Sequence, residues 1–283
     1  MEKSKFHQSY DGKPGKEKEM LPKPIFERPD KLSAKRLEGK IAIITGGDSG
    51  IGRATAIAFA KEGADLALLY LNEHEDALFT KKRVEEIGKR CLTLDGDCGN
   101  RFFCNEAIRQ IIKKYGYIDI LVNNCGEQRL HGNFEEISEV EIQKIFRTNI
   151  FSYFFMTQAS LRFMKEGANI INCASVVAYK GSDDLIDYSA TKGAVISFTR
   201  SLAKNLAKQK IRVNAVAPGP IWTPLIPSTF TEERLKHFGK DTFLERIGQP
   251  CEVAPSFVFL ASEDASYMTG QVLHPNGGIP VNS

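Results

Sequence analysis

The stretch Ile41-Ala42-Ile43-Ile44-Thr45-Gly46-Gly47-Asp48-Ser49-Gly50-Ile51-Gly52 decides how the rest of the chain is read. An apolar run of strand length enters a glycine-rich turn, and an amphipathic pattern, Ile51–Glu62, follows at once. Glycine adopts positive φ without cost and lets another group approach the backbone. A helix that starts directly after such a turn points its free N–H groups and positive dipole end at one spot. Strand, turn and helix in this order make a place for a pyrophosphate.

Working outward, the same alternation repeats. Further strands are expected at Leu66–Leu71, Arg90–Leu94, Ile118–Asn123, Ala168–Ala174, Arg212–Ala217 and Val272–His274. They are short and mostly unalternated, as strands buried on both faces of a parallel sheet are. Helices are expected at Glu75–Gly88, Arg101–Tyr115, Glu139–Lys165, Asp187–Lys208 and Cys251–Leu260, with Ser138 and Glu141 as a capping box for the third of these. Seven strands alternating with six helices predict one α/β domain, doubly wound, with helices on both faces of a parallel sheet. The segment 219–248 breaks the rhythm with Pro220, Pro224 and Pro227 and reads as a lid.

Charge divides the chain. It has 283 residues, 38 Lys+Arg, 35 Asp+Glu and a net charge of +3. The first 39 residues hold ten basic and seven acidic side chains, and so carry the whole excess. This segment contains Pro14, Pro22, Pro24 and Pro29 and is expected to be an extended arm, anchored by Leu21, Ile25 and Phe26. Residues 40–283 form the expected folded domain. The arm lacks a clustered basic stripe with stacking aromatics, so no nucleic-acid partner is expected. No apolar run reaches the roughly 18 residues of a membrane span, and no apolar core marks a signal peptide. A cytoplasmic protein is expected. Six cysteines without a CxxC pair read as free thiols, and five scattered histidines show no metal-ligand spacing.

From Lys40 onward the ordered motifs resemble those of the short-chain dehydrogenase/reductase family, including a bacterial subgroup of general-stress proteins, aldehyde reductases and glucose-type dehydrogenases with an N-terminal extension. Thr45-Gly46-Gly47-Asp48-Ser49-Gly50-Ile51-Gly52 resembles the family's TGxxxGxG loop, and Asn123-Asn124-Cys125-Gly126 its NNAG motif, with cysteine in place of alanine. Asn149, Ser175, Tyr188 and Lys192 match the catalytic asparagine, serine and YxxxK pair. Pro218-Gly219 with Thr223 resembles PGxxxT. The resemblance implies a Rossmann-like fold and a nicotinamide dinucleotide. It implies cofactor contacts from Gly46, Asp48, Ser49, Gly50, Ile51 and Gly52, from Tyr70, Leu71 and Asn72, and from Asp97 and Cys98. Further contacts are implied from Asn124, Cys125 and Gly126, from Tyr188 and Lys192, and from Pro218, Gly219, Ile221 and Thr223. It also implies a homotetramer packed through the helices near 139–165 and 187–208.

These residue types suit hydride transfer to a carbonyl or from an alcohol. Such a reaction also needs a proton moved at oxygen, and a phenol can give or take it. Free tyrosine has a pKa of about 10, so bringing Tyr188 near 7 requires about 4 kcal/mol. A positive charge at about 4 Å contributes on the order of 4 kcal/mol at an effective dielectric near 20. Lys192 stands four residues on, on the same helix face. Ser175 ends the fifth strand and is expected to hold the substrate oxygen. Asn149 is expected, through the resemblance, to hold a water that links Lys192 to solvent.

NAD is expected rather than NADP. The glycine loop holds Asp48 and Ser49, and the second strand ends Leu69-Tyr70-Leu71-Asn72-Glu73, so no cation stands there for a 2′-phosphate. Arg53 and Lys81 to Arg83 are the nearest alternatives in sequence. The substrate is expected to be a small alcohol or carbonyl, polar and uncharged, lined by Glu127, Gln128, Asp183, Asp184 and Trp222. Two alternatives stay open: an NADP-dependent aldehyde or ketone reductase or sugar dehydrogenase, and a non-enzymatic dinucleotide sensor on the same fold, which a broken catalytic set would favour.

Overall fold

The computed structural model describes residues 9, 12–29 and 33–281. Of the arm expected over 1–39, residues 1–8, 10, 11 and 30–32 lie outside the described residues.

The chain runs through β1 (Ile41–Thr45), α1 (Gly50–Lys61), β2 (Asp65–Tyr70), α2 (His74–Glu86), β3 (Cys91–Asp95), α3 (Arg101–Tyr115) and β4 (Ile118–Asn123). It continues through α4 (Glu139–Phe146), α5 (Ser152–Leu161), β5 (Met164–Cys173), α6 (Val177–Lys180), α7 (Ile186–Leu206) and β6 (Arg212–Val216). The last elements are α8 (Glu232–Leu235), α9 (Pro250–Ala261) and β7 (Val272–Leu273). All seven strands pair in parallel in the order β3-β2-β1-β4-β5-β6-β7. The order reverses between β1 and β4, where Ala42 faces Ile120 and Ile44 faces Val122. That reversal opens a crevice at the carboxyl ends of these two strands, which is where open α/β sheets bind ligands.

Alternate residues of the central strands feed two cores. Ala42, Ile44, Leu66 and Leu68 pack with α1 and α9 through Ala56, Phe59, Val253 and Phe257. Ile41, Ile43, Ala67 and Leu69 pack with α3, α5 and α7 through Ile108, Ile111, Met156 and Leu206. Both faces of the sheet are therefore dry, which explains why its strands read as unbroken apolar runs. No described helix is long and apolar enough to cross a membrane.

Two boundaries differ from the sequence expectation. The long helix expected over Glu139–Lys165 is interrupted by a π turn at Arg147–Phe151 and stops at Leu161. Met164 then begins β5, pairing with Ile118 before a register shift. The apolar spacing continues unbroken through the π turn, so periodicity alone does not show it. The strand starts early because Met164 is buried, and Gly167, at φ +85°, then turns the backbone.

The arm packs on the domain, with other anchors than expected. Leu21 and Ile25 are exposed. Met20 is buried beside Trp222, Ile226 and Phe230. Trp222 Nε1 donates to Pro22 O at 2.7 Å, and Ile25 N donates to Gln249 Oε1 at 2.8 Å. Phe26 does hold, edge-on against Phe79 with centroids 5.6 Å apart.

Candidate active site

A cavity of about 790 Å³ lies over the carboxyl ends of the strands, between the turn after β1 and the segment 219–248. Its floor is the glycine turn. Gly46 and Gly50 sit at φ +63° and +52°, conformations that a side chain resists. A Cβ on Gly52 would stand 1.8 Å from Gly46 O, so the first turn of α1 lies directly against the loop. Asn124 Nδ2 donates to Thr45 O and Gly46 O at 3.1 Å each and pins the loop to the end of β4. Thr45 Oγ1 accepts from the N–H groups of Asn124 and Cys125 at 2.9 and 3.1 Å. The cradle thus has rigid walls and space only for backbone, a shape that fits a pyrophosphate.

Tyr188 and Lys192 stand one turn apart on α7, both buried, and both line the cavity. Lys192 Nζ donates to Cys173 O at 2.8 Å and lies 5.6 Å from the centroid of the Tyr188 ring. Burial pulls the Lys192 ammonium below its usual range. Burial pushes the Tyr188 phenol up, while a hydrogen bond with Ser175 pulls it down. Desolvation disfavours both charges at once, so the Lys192 charge by itself does not offset the burial of the phenol. Ser175 follows β5 and lines the same wall.

Asn149 lies within the π turn, fully buried and behind the wall. Its Oδ1 accepts from Glu127 N at 2.8 Å, and its Nδ2 donates to Glu127 O at 2.9 Å and Thr191 Oγ1 at 3.0 Å. The side chain is spent on holding the backbone after Gly126 against α7.

Asp48, Ser49, Ile51, Tyr70, Leu71, Asn72, Asp97, Cys98, Asn124, Cys125, Gly126, Pro218, Gly219, Ile221 and Thr223 also line the cavity, whereas Gly52 lies behind its floor. Glu127 and Gln128 line it as expected, but Asp183, Asp184 and Trp222 do not. Asp184 is paired with Arg234, and Trp222 is in the core beneath the arm.

The comparisons with known proteins agree with this geometry. Residues 46–280 match the family model described as enoyl-(acyl carrier protein) reductase. The chain is 54% identical to the oxidoreductase YhxC of Bacillus subtilis, over 97% of this chain and 96% of the relative. It is 50% identical to NADPH-dependent aldehyde reductase 1, chloroplastic, of Arabidopsis thaliana, over 100% and 99%. A short-chain dehydrogenase from Burkholderia cenocepacia, solved in complex with NADP, superposes with a TM-score of 0.81 at 30% identity, over 86% and 98%.

The chain is a short-chain dehydrogenase/reductase. It is an NAD(P)-dependent oxidoreductase acting between CH–OH and C=O.

In this dehydrogenase the arm reaches the site. Lys13, Pro14 and Gly15 line the cavity, and Lys13 Nζ donates to Gln128 O. Glu17 is buried and its Oε2 accepts from Gly50 N, the first amide of α1, at 2.7 Å. A carboxylate from the arm thus caps the helix that Ser49 leaves uncapped. Nothing in the local sequence signals this, because the two partners are 33 residues apart.

Glu17 also pairs with Arg53, whose guanidinium donates to Asp76 Oδ1 at 2.9 Å and lies 4.7 Å from the Phe79 ring centroid. Arg53 is therefore committed inside the protein and does not face the cavity. Lys81 and Arg83 are turned to Glu85 and Glu27.

One guanidinium among three carboxylates leaves charge uncompensated. Burial first, then Asp76 and Asp48, push Glu17 up to about 7, against Arg53 and the Gly50 amide. Burial likewise pushes Asp48 up to about 6. The folded form then holds a proton on Glu17 that the unfolded chain, at 4.5, has released. The resulting stability is complete below about pH 4.5 and is lost as pH rises through 7. Between pH 6 and 8.5 the wild type should lose about 1 kcal/mol relative to Glu17→Gln, which cannot ionise. Denaturant unfolding of both proteins at the two pH values measures this. A difference that stays flat, or grows in favour of the wild type, rules it out.

Proposed function

We propose that Tyr188 is the general acid/base of this oxidoreductase, with Ser175, Lys192 and Asn149 completing its catalytic set. The observation that carries the reading is the convergence of the Tyr188 phenol, its Ser175 partner and the Lys192 ammonium on one wall of the cavity that the glycine turn floors. A nicotinamide dinucleotide bound there supplies or accepts the hydride. The chain's own residues do the rest. Ser175 donates to the substrate oxygen and fixes its distance from the phenol. Tyr188 gives that oxygen a proton as negative charge develops, or takes one from a hydroxyl in reverse. Lys192 steadies negative charge on the phenol oxygen. Asn149 acts through backbone, holding the segment after Gly126 in place.

For the dinucleotide, Gly46, Ser49, Gly50, Ile51 and Gly52 form the pyrophosphate cradle, and Asp97 and Cys98 border the adenine end. Tyr70, Leu71, Asn72 and Asp48 border its ribose. Asn124, Cys125 and Gly126 border the dinucleotide between these parts, and Pro218, Gly219, Ile221 and Thr223 border the nicotinamide end, under the segment 219–248 as a lid. The ribose edge favours NAD. Asp48 is an acid beside that ribose, and the arm's Lys16 faces Glu19 and Glu73 in this region. A 2′-phosphate there meets negative charge. NADPH use has a specific observation behind it too, the aldehyde reductase relative.

A panel of small aldehydes, ketones, sugars and secondary alcohols, followed at the reduced-nicotinamide band with both cofactors, tests the reading. The expected result is turnover with kcat/KM at least about tenfold higher for NADH than NADPH, a difference of about 1.4 kcal/mol. Equal or reversed values overturn the cofactor preference and leave the oxidoreductase intact.

A homotetramer in the cytoplasm belongs to this proposal. Val140 and Ile142 on α4, Phe151 in the π turn and Phe154 on α5 are exposed and apolar, and all six cysteines are free thiols.

A further inference from the structure

Three cysteines stand in a row that the proposed hydride and proton chemistry leaves unused. Cys125 follows β4 and Cys98 sits in the turn after β3, and both line the cavity. The Cys98 thiol is hydrogen-bonded to Cys125 on one side and to Cys104 on the other. Cys104 Sγ also donates to Cys98 O at 3.1 Å. Cys125 Sγ lies 3.5 Å from Ser152 Oγ, on the side where the Lys192 charge is felt. Two thiols in contact, both opening on a cavity, are the geometry of a reversible thiol switch.

We propose that Cys98 and Cys125 form a peroxide-responsive modification site that closes to a disulfide while the dinucleotide is absent. The hydrogen bond from Cys98, followed by those from Ser152 and Thr45 and the charge of Lys192, pulls the Cys125 thiol below its usual range although burial opposes it. Cys125 is thus the thiol of the pair that more readily gives the thiolate, the nucleophilic form. Cys91, Cys98 and Cys173 are pushed the other way, by burial in Cys91 and Cys173 and first by its own thiol hydrogen bonds in Cys98. Attack is therefore selective. The Cys125 sulfur takes one peroxide oxygen, the O–O bond breaks, and the second oxygen leaves as hydroxide that is protonated to water. Cys98 sulfur then attacks the Cys125 sulfenic acid, the S–S bond forms, and the Cys98 proton leaves with the hydroxyl as a second water. Two thiols lose two electrons and one peroxide becomes two waters.

Closure in the empty protein stands on the thiol geometry alone. Its blockage by cofactor rests on the dinucleotide reading above. Full-length protein at pH 7.5, treated with a small excess of hydrogen peroxide, alkylated and mapped by mass spectrometry, tests both. The expected product is about 2 Da lighter, links the Cys98 and Cys125 peptides, and reverts with dithiothreitol. Saturating NADH or NADPH should slow closure by at least about tenfold. Cys125→Ala should give no link, and Cys98→Ser should let Cys125 go on to the sulfinic acid, about 32 Da heavier. A link between other cysteines, sulfinic acid at Cys125 of the wild type without a link, or no thiol loss in large peroxide excess overturns the site. Equal closure rates with and without either nucleotide overturn the cofactor dependence alone.

Discussion

Tyr188→Phe is expected to lower turnover by roughly a thousandfold, within the range that loss of a positioned proton donor produces, while the dissociation constant for cofactor changes less than about threefold. The two effects separate because the substitution deletes one oxygen and leaves the ring. The ring packs with Met20, Ile145, Leu185 and Trp222, so the wall keeps its shape. The phenol O–H can follow charge onto a substrate oxygen, whereas the Ser175 hydroxyl is far less acidic. Steady-state rates on a working substrate, paired with a cofactor fluorescence titration, measure both quantities. Turnover within tenfold of wild type would remove Tyr188 from the chemistry. A collapse of cofactor affinity would instead make it a wall residue.

The second large effect is expected at Gly52→Ala. The added methyl would stand 1.8 Å from Gly46 O and 2.8 Å from Asn124 Nδ2. Carbon and oxygen do not approach within about 3 Å, so the loop and the first turn of α1 must part by more than an ångström. Asn124 Nδ2 holds Gly46 O and would itself meet the methyl, so the strain has nowhere cheap to go. Overpacking of this severity costs about 3 kcal/mol, or a fall in Tm of about 6–12 °C for a chain of this size. Cofactor affinity should fall at least a hundredfold, because the amides that face the pyrophosphate no longer converge. Thermal unfolding and cofactor titration together decide the matter, and wild-type values in both would refute the cradle.

Both residues were legible because their signals are local. Gly52 stands seven residues past the end of an apolar strand run, and Tyr188 and Lys192 share a helix face by spacing alone. The parallel sheet was legible for a related reason: strands dry on both faces need no alternation. What escaped is non-local. The π turn around Asn149 preserves the apolar stripe on either side of it, so the stripe looks like one helix. Arg53 reads as a free cation beside a phosphate loop, but Glu17 and Asp76, which hold it inside, lie 36 and 23 residues away. Leu21 and Ile25 are as apolar as Met20, and only the position of Trp222 and Phe230 selects Met20 as the anchor. Asp184 and Trp222 failed as pocket residues for the same reason, since their partners come from α8 and the arm.

The arm's contacts also set an order of events in folding. Residues 12–29 are made before the groups that receive them. Gly50 and Asp76 come soon after, but Trp222 is 200 residues away from Pro22 and Gln249 is 224 away from Ile25. Contacts across such separations form late, because long loops must close first. The segment synthesised early is therefore among the last to dock, and it spends the interval open to proteases. A nick in that interval would leave a complete sheet whose first helix lacks its cap.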